Sequence, residues 1–143
     1  MSASSTLRRL RRLRSSEAWA LVRAWWLLLW IDLGLRLLPF QRLESWLAPA
    51  PGNPRAADET VVPEMIWATA AAARHHLYPM RCLPQALCLR WLLGRRGVVT
   101  ELRIGVERQG GDLRAHAWVE RDGRPVGEDL RVVDRFAPLR PVS

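Results

Sequence analysis

The run LRAHAWVERDGRPVGED, residues 113–129, constrains this chain more than any other segment. Leu113, Ala115, Ala117 and Val119 alternate with Arg114, His116, Trp118 and Glu120, the period of a strand with one apolar and one more polar face. Asp122-Gly123 is a strong signal for a two-residue hairpin loop. With that loop, Arg121 lies opposite Arg124, Val119 opposite Val126, and His116 opposite Asp129. Directly opposed residues share a face, so Asp129 is placed to orient the imidazole of His116. A one-residue change in loop length exchanges the faces and brings up Glu128 instead. Asp129 is the first choice here and Glu128 the second.

Upstream, CLPQALCLRWLLGRRG reads as a helix that opens at Cys82, 34 residues before His116. Pro84 falls in the first turn, where a missing N–H costs nothing, and Gly97 follows the last apolar residues as a stop signal. The unpaired N–H groups of a first turn favour negative charge, and the thiolate is the form of cysteine that attacks carbon. A thiol at a helix start, an imidazole on a strand and a carboxylate on the neighbouring strand make the chain order of a cysteine catalytic unit. Each residue alone has a plainer reading: a single Cys is more often a small buried apolar residue, and a single strand His is usually structural. Their order in combination favours catalysis. Cys88, flanked by Leu87 and Leu89, reads as a core filler rather than a second thiol of the site.

Elimination narrows the chemistry further. All serines precede residue 46 except Ser143, so the half that carries His116 offers no internal serine nucleophile. All 22 basic residues are Arg, which removes Schiff-base chemistry and the phosphate-binding lysine of a P-loop. Cys82, Cys88, His75, His76 and His116 lack the paired spacings of zinc ligands, so neither a metal nor another cofactor is expected. Two thiols without framework spacing point to a reducing compartment and no structural disulfide.

The 143 residues and net charge of +8 fit one modest domain, or a compact domain with an appended helical segment, biased towards acidic partners. Residues 1–48 read as a helical, Arg- and Trp-rich front, residues 49–60 as a linker rich in Pro and Ala, and residues 61–143 as the catalytic domain. Five arginines, Arg8, Arg9, Arg11, Arg12 and Arg14, precede the Trp/Leu run that Pro39 ends, and no base-reading motif follows them. The apolar stretch Ala24 to Ile31 falls well short of the roughly 20 residues a spanning helix needs. Without a signal-peptide cleavage site, the expected location is cytoplasmic. For Trp25, Trp26 and Trp30, core packing ranks first, docking of a partner second and a membrane surface third. Thr60 reads as the cap of a helix from about Val61 to His76, closed by His75 and His76. Beyond it, Leu102, Ile104 and Val106 alternate in a strand, and Gly110-Gly111 turns the chain into the His116 strand. The fold class is therefore α+β: a helical N-terminal region followed by a transglutaminase-like or papain-like catalytic unit with a small antiparallel sheet.

The segments RCLPQALCLRWLLGRRGV, ELRIGV, AHAWVERDGRPVGED and RFAPL together resemble the transglutaminase-like leader peptidases of bacterial lasso-peptide biosynthesis, over about Ala70 to Leu139. The resemblance implies a stand-alone peptidase subunit of a split system. It would cleave the leader from a ribosomally made precursor, freeing the core amine for a separate ATP-dependent lasso cyclase. Its expected partners are the precursor peptide, a separate leader-recognition protein and the cyclase, with no nucleic acid. Cys82 and His116 match the family's nucleophile and base. The third member, normally Asp, falls where this chain has Glu128 followed by Asp129. Two other readings stand beside it: an amidase or transglutaminase using the same residues, and a non-catalytic basic protein that binds membranes or nucleic acid.

Overall fold

The computed structural model describes residues 15–48 and 60–139. The expected linker, except its last residue Thr60, and the arginine cluster at 8–14 lie outside them. Among the described residues, four helices come first: α1 (Ser15–Leu37), α2 (Phe40–Leu47), α3 (Val61–Arg74) and α4 (Cys82–Arg95). The sheet follows as β1 (Glu101–Gln109), β2 (Asp112–Arg121) and β3 (Arg124–Val126), then a short helix α5 (Arg131–Arg135) and β4 (Ala137–Pro138). The sheet order is β3-β2-β1-β4, and every pairing is antiparallel. This is the expected α+β arrangement, with one strand added at the β1 edge.

Both hairpin loops form where the glycines announced them. Gly110 and Gly111 take φ of 58° and 89°, and Asp122 and Gly123 take 52° and 78°, the left-handed pair whose twist matches that of the strands. Leu102 and Ile104 on β1 lie opposite Val119 and Ala117 on β2. These residues pack against the helices, sharing one core with Leu28 and Ile31 of α1, Met65 and Ala68 of α3, and Leu87 and Leu93 of α4. The helical front is thus no appendage. Ala20, Ala24 and Leu28 are buried at four-residue spacing along α1, the spacing that lays small side chains on one face and lets neighbouring helices approach closely.

Several helix ends differ from expectation. Thr60 occupies the cap position of α3 but makes no side-chain cap hydrogen bond, and the helix ends at Arg74. His76 lies beyond it and ties the loop to α1: its ring stacks on Trp25 at 4.5 Å, and Nε2 is 3.1 Å from the Trp25 carbonyl. Tyr78 donates its hydroxyl to Asp32, which also accepts from Arg36 at 3.0 Å. That bond holds the Tyr78 proton, raising the phenol above its ordinary range. Trp25 is therefore a packing residue, as first expected, whereas Trp26 and Trp30 stay exposed.

The outer face of the sheet carries its own small core. Trp118 is only 2% exposed, its indole N–H donating to Glu120 at 3.0 Å, and Arg103 donates to the other oxygen of Glu120 at 3.2 Å. Phe136 packs beside Trp118 and His116, with ring centroids 6.2 and 5.1 Å away. The space for them comes from Gly105, where a Cβ would lie 2.7 Å from the Phe136 Cβ and 2.9 Å from the Trp118 ring. Gly105→Ala is expected to lose about 1–3 kcal/mol, the range for overpacking a filled site, and thermal unfolding of the variant checks it.

Candidate active site

Cys82 is the first residue of α4. Arg81 before it is extended, with ψ of 164°, and offers no side-chain cap. Pro84 lacks an N–H, and the Gln85 N–H reaches the Arg81 carbonyl at 3.5 Å. The amides of Cys82 and Leu83 therefore stand at the open positive end of the helix, where an anion is stabilised.

His116 and Cys82 line one cavity of about 190 Å³, walled also by Gln85, Ala86, Gly127 and Glu128. A short third strand gives the imidazole access to it. Pairing between β2 and β3 runs only through Val119–Val126, Glu120–Pro125 and Arg121–Arg124. At Gly127 the backbone takes a φ of 75° and leaves the ladder, so the edge of β2 beside His116 has no β3 neighbour.

The same departure corrects the expected carboxylate. Continuing the register would set His116 opposite Asp129, but the strand has ended by then. Glu128 instead points back, and its Oε1 lies 2.7 Å from His116 Nε2. Asp129 is turned to the next helix, where its Oδ1 accepts the Arg131 N–H at 3.0 Å in an Asx turn that opens α5. Of the three residues nominated first, the structure brings Cys82 and His116 to one cavity and leaves Asp129 outside the imidazole's hydrogen bond. Glu128, the second choice, takes that place.

Glu128 engages Nε2, so Nδ1 is the ring nitrogen that this contact does not occupy. The ring is held on its other side by stacking on Trp118, 6.0 Å away at 18°, and by Phe136. An orienting carboxylate and a fixed ring are what a general base needs to present one nitrogen in one tautomer.

Two wall residues went unrecognised in the sequence. Gln85 lines the cavity and fixes the preceding loop by donating Nε2 to the Met80 carbonyl at 2.9 Å. Its spacing of three from Cys82 places both on one helix face and was the available signal. Gly127 carries the second signal, since a glycine within a strand pattern marks a break or bulge.

Cys88 is fully buried among the helices, with its sulfur 3.8 Å from the Ala24 carbonyl. Burial pushes its thiol up to about 12, so it carries essentially no thiolate near neutrality. Because a thiol in the unfolded chain ionises near 9.0, the unfolded chain binds fewer protons between those values. The contribution of Cys88 to stability is thus intact below pH 9 and falls as pH rises towards 12. Iodoacetamide at pH 8 is expected to alkylate Cys82 in the native protein and Cys88 only after denaturation, as peptide mass mapping would read.

A sequence model described as the transglutaminase-like superfamily matches residues 25–141, from the middle of α1 past β4. No curated protein and no solved structure matches the chain.

Proposed function

Since the chain belongs to the transglutaminase-like superfamily, whose members are generally Cys-His-Asp acyl-transfer enzymes and proteases, we propose that it is a cysteine peptidase that removes the leader of a lasso-peptide precursor. The observation that carries the catalytic reading is the 2.7 Å contact of His116 with Glu128 at the wall of a cavity that also holds Cys82. The leader specificity rests on the sequence resemblance, on the segments RCLPQALCLRWLLGRRGV and AHAWVERDGRPVGED above all.

In this reaction Nδ1 of His116 takes the thiol proton, and the Cys82 sulfur attacks the scissile carbonyl carbon. The oxygen gains the negative charge, stabilised by the Cys82 amide at the positive end of α4. As the tetrahedral intermediate collapses, the C–N bond breaks and the imidazolium returns its proton to the leaving amine. A water molecule, deprotonated by His116, then hydrolyses the thioester, releasing the leader's carboxylate and regenerating the thiol. Glu128 stabilises the imidazolium in both halves and, by holding Nε2, reserves Nδ1 for the proton. The amine released is the N-terminus of the core peptide, the group a separate cyclase would acylate. A separate leader-recognition protein would present the precursor, and the system would work in the cytoplasm without a metal or other cofactor.

Mass spectrometry of a precursor incubated with the enzyme and a leader-recognition protein tests this. Cleavage at one bond is expected for wild type and for Cys88→Ala, and none for Cys82→Ala. Glu128→Gln is expected to slow cleavage by about 10²-fold or more, the usual scale of general-base assistance. Asp129→Asn should stay within about threefold of wild type, because its bond is to the α5 turn and not to the ring. Cleavage surviving in Cys82→Ala would overturn the mechanism. Acyl transfer to an added primary amine in preference to water would make the protein a transferase.

A further inference from the structure

The helix α1 presents a second apolar face that no other element among the described residues covers. Trp19, Val22, Trp26, Trp30, Leu33 and Leu37 are all exposed, with Trp19, Trp26 and Trp30 at 67%, 53% and 65%. Their spacing of three and four residues makes one stripe, on the side opposite the buried Ala20, Ala24 and Leu28. A contiguous apolar surface of this kind marks an interaction site, whereas scattered apolar residues do not.

We propose that this face of α1 docks on an anionic lipid bilayer, with the helix lying flat in the headgroup region. Shape supports this occupant. The stripe runs along a single convex helix and spans roughly 27 Å at 1.5 Å per residue, which suits a planar interface better than a groove. Tryptophan side chains settle at the headgroup level of bilayers, because the ring is apolar and its N–H is polar.

Charge supports it as well. Arg23 is exposed beside the stripe, and the acid of this part of the helix, Asp32, is turned inward and buried against Tyr78, its charge met by Arg36. At the N-terminal end, a hollow of about 120 Å³ beside Trp19 is bordered by Arg23, Arg95 and Arg96, with Glu64 the one acid among the described residues that line it. Arg95 and Arg96 come from the end of α4, so two elements contribute cations beside the same tryptophan. That cluster fits lipid phosphates.

The helix is long and apolar enough to cross a membrane by length and composition, which the run Ala24 to Ile31 alone did not suggest. Crossing is inconsistent with the fold, because the opposite face packs on α3 and α4 in the protein core. Lying flat keeps that core intact and wets only the exposed stripe.

Co-sedimentation of the full chain with vesicles tests the proposal. Vesicles of equal parts phosphatidylglycerol and phosphatidylcholine are expected to retain about tenfold more protein than phosphatidylcholine alone at low salt, in line with the attraction of basic residues to anionic surfaces. Trp26→Ser/Trp30→Ser is expected to abolish most of that binding at any salt. Arg95→Gln/Arg96→Gln should weaken it chiefly at low salt, since screening removes its contribution otherwise. Quenching of wild-type tryptophan fluorescence by brominated lipid reads the same contact without any variant. Absence of vesicle binding at low salt, or unchanged binding by the tryptophan variant, overturns the proposal. So does a dimer in light scattering that Trp26→Ser/Trp30→Ser dissociates, which would assign the face to a second copy of the chain.

Discussion

The packing of α4 against the inner face of β2 is the contact on which the site depends. Ala86, Leu87 and Leu89 on the helix and Ala117 and Val119 on the strand belong to one buried cluster. Burial of Leu87, Leu89 and Val119 stabilises the fold by about 1.5–3 kcal/mol each, the two alanines let the elements approach, and this packing fixes where the helix starts relative to the strand. Cys82 and His116 contribute little to this packing themselves. They stand at the end of the helix and on the outer alternation of the strand, and the apolar residues beside them bring them to one cavity.

The outer face of the sheet serves a different purpose. An imidazole on an exposed strand face has freedom to rotate about both side-chain bonds, which would spoil a proton transfer. Here Trp118 and Phe136 close round it, and the ionised bridge of Arg103 to Glu120 satisfies the buried indole N–H indirectly by holding its acceptor. Gly105 permits this layer because it has no side chain where the two rings meet. The outer aromatic layer and the inner core thus meet at β2, one restraining the imidazole and the other placing it.

Much of this was legible in the sequence. The alternation about His116, the Asp122-Gly123 loop and the stop at Gly97 each rest on local chemistry that a single sequence displays, and the strands, the hairpin and the end of α4 all formed there. The exposed stripe of α1 was not legible, because a helix apolar on every side does not reveal by pattern which face the fold uses. The outer aromatic layer was missed for a related reason: Phe136 reaches Trp118 from 18 residues away in the chain, and only Gly105, an isolated glycine in a strand, hinted at a close approach.

The carboxylate shows how a correct local reading fails one step too far along. Register on β2 and β3 was right at Arg121–Arg124 and at Val119–Val126, and extending it by three residues gave Asp129. Extension assumes that the strand continues, and Gly127 is where it stops: at a φ of 75° the chain turns away, and alternation no longer decides which side chain faces the ring. Beyond that point reach matters instead. Glu128 follows the turn directly and has one more methylene than Asp, enough to return its carboxylate to Nε2. Asp129 has the shorter side chain suited to an Asx turn, and it serves the start of α5. The glutamate beside the ring is thus the consequence of a strand cut short, and the same cut leaves the edge of β2 open at the cavity that His116 and Cys82 both line.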